Sequence, residues 1–238
     1  MQVAATPYDF PISGNFDLQK TALLIIDMQR DFCDLNGYMN TRGDDVSAAR
    51  AIIPMICSVR SASRSKGIKV IYTREGHRPD LSDLPATKRL KTALSGAEIG
   101  AEGPLGRLLV RGEPGWDFVP ELLPEHDEII IDKPGTGAFH GTDLQHILMT
   151  AGIENLILTG VTTGVCVTST AREAADRGFN VLVLSDCCAE PDKDNHDSAM
   201  RLLMIEGGYI ATVGQASNFL SFMNDQQASI SFREMRQL

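Results

Sequence analysis

The chain alternates short runs of unbroken apolar residues with segments of helical pattern, and this alternation restricts it to one kind of architecture. Thr21–Ile26 (TALLII), Lys69–Tyr72 (KVIY), Glu128–Ile131 (EIII), Asn155–Leu158 (NLIL), Asn180–Leu184 (NVLVL) and Tyr209–Thr212 read as strands. Residues 47–66, 142–151, 166–177, 195–205 and 215–223 read as helices. Strands with no polar face are covered on both sides, which predicts a mostly parallel sheet with helices on each face. Strict β-then-α order then gives a three-layer α/β/α sandwich around a six-stranded sheet of Rossmann-like order. Sheets of this type bind ligands beyond their C-terminal strand ends, where the strand order reverses.

The 238 residues suffice for one core. The predicted organisation is an N-terminal arm over 1–20, one α/β domain over 21–223 and a C-terminal tail over 224–238. Residues 74–120 are rich in Gly, Pro and charge with little periodicity. Irregular segments of that length inside a domain are usually lids or oligomer contacts. A net charge of −9 argues against nucleic acid or an anionic membrane as a partner. No apolar run approaches the ~20 residues of a membrane span, and the N-terminus lacks a signal-peptide pattern. Five cysteines without paired spacing fit a reducing, cytoplasmic setting. The vicinal Cys187-Cys188 pair reads as filler beneath a strand end rather than as a redox centre. There is no GxxxxGK, and no GxGxxG follows a strand, so no nucleotide cofactor is expected.

Three strand ends carry chemistry. Gly160-Val161-Thr162-Thr163-Gly164-Val165-Cys166 joins an apolar strand to an Ala-rich helix, which places Cys166 at a helix N-terminus. Unpaired N–H groups and the helix dipole there favour a thiolate and can hold an anion. Asp27 follows a run of apolar residues in LLIIDMQRDF and is poorly solvated, which suits a proton shuttle; an N-cap is the structural alternative. Lys133, in IIIDKPGTGAF, is stopped by Pro134 and Gly135 at the same edge. Singly, each residue has an ordinary explanation. Together they place three complementary groups at three ends of one sheet.

At these three segments the chain resembles the isochorismatase-like cysteine hydrolases, over about residues 18–223. The resemblance implies a catalytic triad of Asp27, Lys133 and Cys166 and no cofactor. It also implies a cis bond joining Val161 to Thr162, with the N–H groups of Thr162 and Cys166 forming an oxyanion hole. The implied reaction is acyl transfer. Asp27 accepts the thiol proton, Cys166 attacks an amide carbonyl, ammonia leaves, and water hydrolyses the thioester. Isochorismatases proper cleave a vinyl ether without this cysteine, so its presence implies an amide or carbamoyl substrate.

Nicotinamidases of this fold hold zinc with an Asp-x-His and a further His. The matching stretch here, Thr73 to Asp80, has only His77, so no metal is expected. YTREGHRPDLSDLPATKR, RGEPGWDFVPEL and SDCCAEPDKDNH resemble biuret-type hydrolases most. This implies a small, flat substrate such as biuret or triuret. Phe32, Tyr38 and Phe139 are candidate walls, and Arg74 or Lys88 a contact to substrate carbonyls, each equally readable as packing or surface charge. Glu206, where that subgroup carries Gln, either grips the distal end of a longer substrate or is a solvated helix-end residue. Ureidoacrylate or N-carbamoyl-amide hydrolysis is the enzymatic alternative, and a silent binding protein the non-enzymatic one. The family also implies a homo-oligomer, dimer or tetramer.

Overall fold

The computed structural model describes residues 2–235. Its main sheet has seven strands: β1 (Ala5–Thr6), β2 (Thr21–Ile26), β3 (Lys69–Glu75), β4 (Ile129–Lys133), β5 (Asn155–Val161), β6 (Asn180–Ala189) and β7 (Thr212–Gly214). The order is β1-β7-β6-β5-β2-β3-β4, and every pair is parallel except β1 with β7. From β2 the chain steps outward through β3 to β4. It then returns to the other side of β2 and continues through β5, β6 and β7. The order therefore reverses between β2 and β5, and a crevice opens at their C-terminal ends.

Side chains two apart share a face, so β2 feeds both cores. Leu23 and Ile25 face one, and Leu24 and Ile26 the other. The longer helices are α1 (Ile53–Ser65), α2 (Ala86–Leu94), α3 (Leu144–Thr150), α4 (Thr168–Asp176), α5 (Lys193–Leu203) and α6 (Ala216–Met235). Ile56 and Val59 of α1 and Phe219 and Phe222 of α6 fill the first core. Leu144 and Leu148 of α3, Ala171 and Ala174 of α4, and Met200 and Leu203 of α5 fill the second. This is the expected three-layer sandwich.

The structure departs from the sequence reading in several places. A seventh strand comes from the arm, where Phe10, Phe16 and Phe222 pack ring to ring at 5.8 and 4.8 Å. The helix expected over 47–66 breaks at Ile52, and Pro54 lies in the first turn of α1, where its missing N–H costs nothing. The last strand begins at Thr212 rather than Tyr209, because Glu206 (φ 53°) and Gly207 (φ 73°) turn the chain first. Residues 74–120 contain α2 and a two-residue ribbon, Glu102–Gly103 with Gly106–Arg107. The buried Asp31 carboxylate ties this region to the domain by accepting from Leu109 N (2.9 Å) and Tyr38 N (3.1 Å). The expected tail is helical as far as Met235, and 236–238 lie outside the described residues.

Candidate active site

β2 ends at Ile26, and the backbone of Asp27 turns sharply into the left-handed region (φ 51°), which an aspartate tolerates better than most residues. Its amide donates to Thr73 O at 3.2 Å, and its Oδ1 accepts from Thr73 Oγ1 at 2.6 Å. Beside it, Gly160 lies at φ 111°, and a Cβ there would strike the carbonyl oxygen of Ile26. Only glycine lets β5 pass this close to β2. The Val161–Thr162 bond is cis. A widened turn over Thr163–Val167 follows, in which Thr162 O accepts from Val167 N at 3.2 Å, and Thr168 then opens α4. Cys166 lies inside that turn and is buried.

Four side chains meet here. Lys133 Nζ lies 2.8 Å from Asp27 Oδ2 and 3.5 Å from Glu75 Oε2. It also donates to the carbonyls of Gly135 (2.9 Å) and Thr136 (3.1 Å). Cys166 Sγ donates to Glu75 Oε2 at 3.4 Å. Strand register explains the gathering. Glu75 and Lys133 are direct partners on β3 and β4, and Ile26 pairs with both Thr73 and Gly160. Burial pushes the Asp27 carboxyl up, against the pull of Lys133. Burial acts the same way on Glu75, but Lys133 and Lys88 outweigh it and hold that carboxyl down. Burial also raises the Cys166 thiol well above its ordinary value; Lys133 opposes this, and the two carboxylates add to it. Lys133 stays protonated, because Asp27, Cys166 and Glu75 together overcome its desolvation. The resting cluster is thus a protonated thiol, a fixed ammonium and two carboxyl groups whose environments push their pKa values apart.

Glu75 was not singled out from the sequence. The strand read as ending at Tyr72 runs on to Glu75, which closes it as Lys133 closes β4. The second oxygen of Glu75 accepts from Lys88 Nζ at 2.7 Å. The same ammonium reaches Pro134 O at 2.8 Å and His77 Nε2 at 3.0 Å. Three donors thus have three partners, so Lys88 has none left for a substrate carbonyl. His77 Nδ1 faces Asp83 Oδ1 at 3.2 Å. Asp27, Glu75 and Cys166 present potential ligand atoms within 4.8 Å of one another, but Lys133 already brings a cation to both carboxylates.

A pocket of ≈ 190 Å³ opens over Cys166, lined by Phe32, Tyr38, Arg42, Glu75, Thr162 and Glu190 among others. Phe32 and Tyr38 therefore lie where the sequence reading put them. Lys88 lines it as well, with its donors already taken, whereas Arg74, Phe139 and Glu206 lie elsewhere. Arg74 lies over the Trp116 ring at 3.7 Å and is bound to Asp132. Phe139 packs in the second core against Phe179. Glu206 lies in the connection from α5 to β7, at the sheet's opposite edge, beside a hollow with Arg172, Asp176 and Tyr209. Glu190 was missed, although it follows the β6 segment; it is half-buried and accepts from Gly164 N at 2.6 Å. A larger groove of ≈ 860 Å³ near Asp34 and Arg50 lies on the surface and holds no such cluster.

A strand-end site of this design on this sheet matches a known family. Residues 21–215 match the model of the isochorismatase domain. The chain belongs to that family. It is 30% identical over 229 residues to the ureidoacrylate amidohydrolase RutB of Pantoea ananatis, covering 92% of this chain and 89% of that protein. It is 34% identical over 179 residues to RutB of Serratia proteamaculans, covering 72% and 70%. Among solved structures, a cysteine hydrolase from Pseudomonas syringae pv. phaseolicola superimposes with a TM-score of 0.75 at 25% identity, covering 88% of this chain and 95% of that one. The protein is thus a hydrolase of the isochorismatase family, with relatives acting on C–N amide bonds. Those relatives are named for ureidoacrylate, the alternative read from the sequence, and not for biuret or triuret.

Proposed function

We propose that the protein is a cysteine amidohydrolase that cleaves a C–N bond of a small linear carbamoyl compound and needs no metal. One observation carries this reading: Cys166 lies beneath a ≈ 190 Å³ pocket and within contact of Glu75, beside the Asp27–Lys133 pair. A pocket that small suits a substrate well below drug size. Asp27 takes the thiol proton as Sγ bonds to the carbonyl carbon, with the N–H groups of Thr162 and Cys166 receiving the oxyanion. The proton then passes to the departing nitrogen, the C–N bond breaks, and water assisted by Asp27 hydrolyses the acyl-enzyme.

The names of the relatives support a ureidoacrylate-type substrate, and Arg42 on the pocket wall would suit its carboxylate. A second reading, an uncharged biuret or triuret, is favoured by Glu190. This half-buried carboxylate on the same wall would accept substrate N–H groups and repel an acid, while Arg42 is already bound to Asp44. Ammonia release measured across ureidoacrylate, biuret, triuret and nicotinamide, with and without a chelator, tests both readings and the metal statement. Turnover of ureidoacrylate above the others selects the first, and turnover of biuret or triuret the second. Silence on all carbamoyl substrates, or loss on chelation with recovery in zinc, would sink the proposal.

A further inference from the structure

Glu75 is held more tightly than a wall residue needs to be. Its Oε2 accepts from the Cys166 thiol at 3.4 Å, while its Oε1 is fixed by Lys88 at 2.7 Å. An ammonium has only N–H donors, so His77 Nε2, 3.0 Å away, acts as the acceptor. The imidazole proton therefore sits on Nδ1 and is donated to Asp83 Oδ1. Burial and Lys88 keep this ring neutral, against the pull of Asp83. Asp83 is held in turn by Arg78 N at 2.9 Å and faces Arg111 at 3.5 Å. A chain of fixed polarity therefore runs from the rim to the nucleophile. The other charged groups around the thiol are Asp27 after β2, Lys133 on β4, and Glu190 and Arg42 on the pocket wall.

We propose that Glu75, anchored by Lys88 and His77, is a positioning residue that stores Cys166 as a protonated thiol, and that Lys88 balances the charge Glu75 brings there. A thiolate formed beside Glu75 meets a like charge, so the proton stays on sulfur until Asp27 takes it as the S–C bond forms. No electrons change hands. The empty enzyme therefore keeps a thiol that resists alkylation and oxidation. The inference rests on Cys166 being the nucleophile, but its test needs no substrate.

The measurement is the rate at which iodoacetamide alkylates Cys166 in the full-length enzyme across pH, read by mass spectrometry of the Cys166 peptide. Glu75→Gln removes the neighbouring anion, so the alkylation midpoint moves down by about one pH unit and the neutral-pH rate rises roughly tenfold. Lys88→Met removes the balancing cation, so the midpoint moves up by a similar amount. The double variant returns toward wild type. A merely structural role would loosen the site and accelerate alkylation in both single variants. Midpoints shifting in the same direction, or not at all, overturn the proposal. Should Glu75→Gln not fold, Lys88→Arg retains the charge and keeps the wild-type midpoint; an equal midpoint in Lys88→Met and Lys88→Arg overturns it as well. These shifts stand or fall whatever the substrate panel shows, so the two readings fail separately.

Discussion

A buried thiol between two carboxylates is unreactive until a base relieves it of its proton, and this sets how activity depends on single groups. Cys166→Ser replaces the thiol with a hydroxyl that the same base hardly ionises. The variant should fold as wild type while kcat/KM falls by about three orders of magnitude or more, measured by ammonia release. Activity near wild type would end the covalent mechanism. The pH profile has a definite sign. Asp27 must be ionised to accept the proton, and burial raises its carboxyl. Activity should therefore be present above that pKa and lost as pH falls through it, with an acid limb above the ordinary carboxylate range. Asp31 gives the matching stability test. Burial raises its carboxyl to about 6, against the pull of Leu109 N and Tyr38 N. The folded state therefore binds more protons than the unfolded one between about pH 4 and 6, and stability falls as pH rises through that window. Asp31→Asn removes this slope and leaves Leu109 N or Tyr38 N facing an amide nitrogen, at a cost of about 1–3 kcal/mol. Thermal melts of both proteins across that range would show a steeper fall in wild type than in the variant. Asp27 and Lys133 were legible in the sequence because each follows or closes an apolar strand, and Cys166 because it lies in a glycine-flanked turn that opens a helix. Glu75 was not, because Thr73-Arg74-Glu75-Gly76 reads as the polar start of a loop. Lys88 lines the pocket as the sequence allowed, but only coordinates show that its three donors are taken by Glu75, His77 and Pro134.

The sheet positions these groups by closeness, and Gly160 is where closeness is greatest. At φ 111°, with the Ile26 carbonyl where a Cβ would go, Gly160→Ala must push β5 away from β2. We expect a loss of stability of about 3 kcal/mol or more, read as a lowered urea midpoint or no soluble protein; an unchanged midpoint would show that the strands can part freely. Most elements were visible in the sequence because an unbroken apolar strand carries its own signature. The edges were not. β1 has only two residues, and its pairing with β7 depends on Phe10 and Phe16 folding back onto α6, a contact between the two ends of the chain that periodicity does not record. β6 runs on to Ala189 for a similar reason. Cys188 and Ala189 pair with Gly160 and Val161 after a register shift, which brings Glu190 to the pocket wall. That shift has no local sequence signal.

At the scale of the whole molecule, the surface bears on subunit association. Leu202 (50% exposed), Ile205 (43%) and Tyr209 (75%) cluster where α5 hands over to β7, beside the Glu206 turn. Single exposed apolar residues need no explanation, but three at one corner, next to a left-handed turn, are unusual for an isolated surface. A net charge of −9 would keep separate chains apart unless such a patch held them together. We therefore expect a homo-oligomer through this corner, with a light-scattering mass at micromolar concentration that is a multiple of 25.9 kDa. Replacing Leu202 and Ile205 together by Ser should lower that mass toward the single chain without touching the Cys166 cluster, which lies at the opposite edge of the sheet. A wild-type mass equal to one chain removes the expectation of assembly. A multiple that survives the double replacement moves the contact elsewhere, with the arm and residues 74–120 the next surfaces to vary. If the mass drops and ammonia release drops with it, the neighbouring copy completes the pocket. If the mass drops and turnover stays, each chain carries a whole site, as the geometry around Cys166 implies.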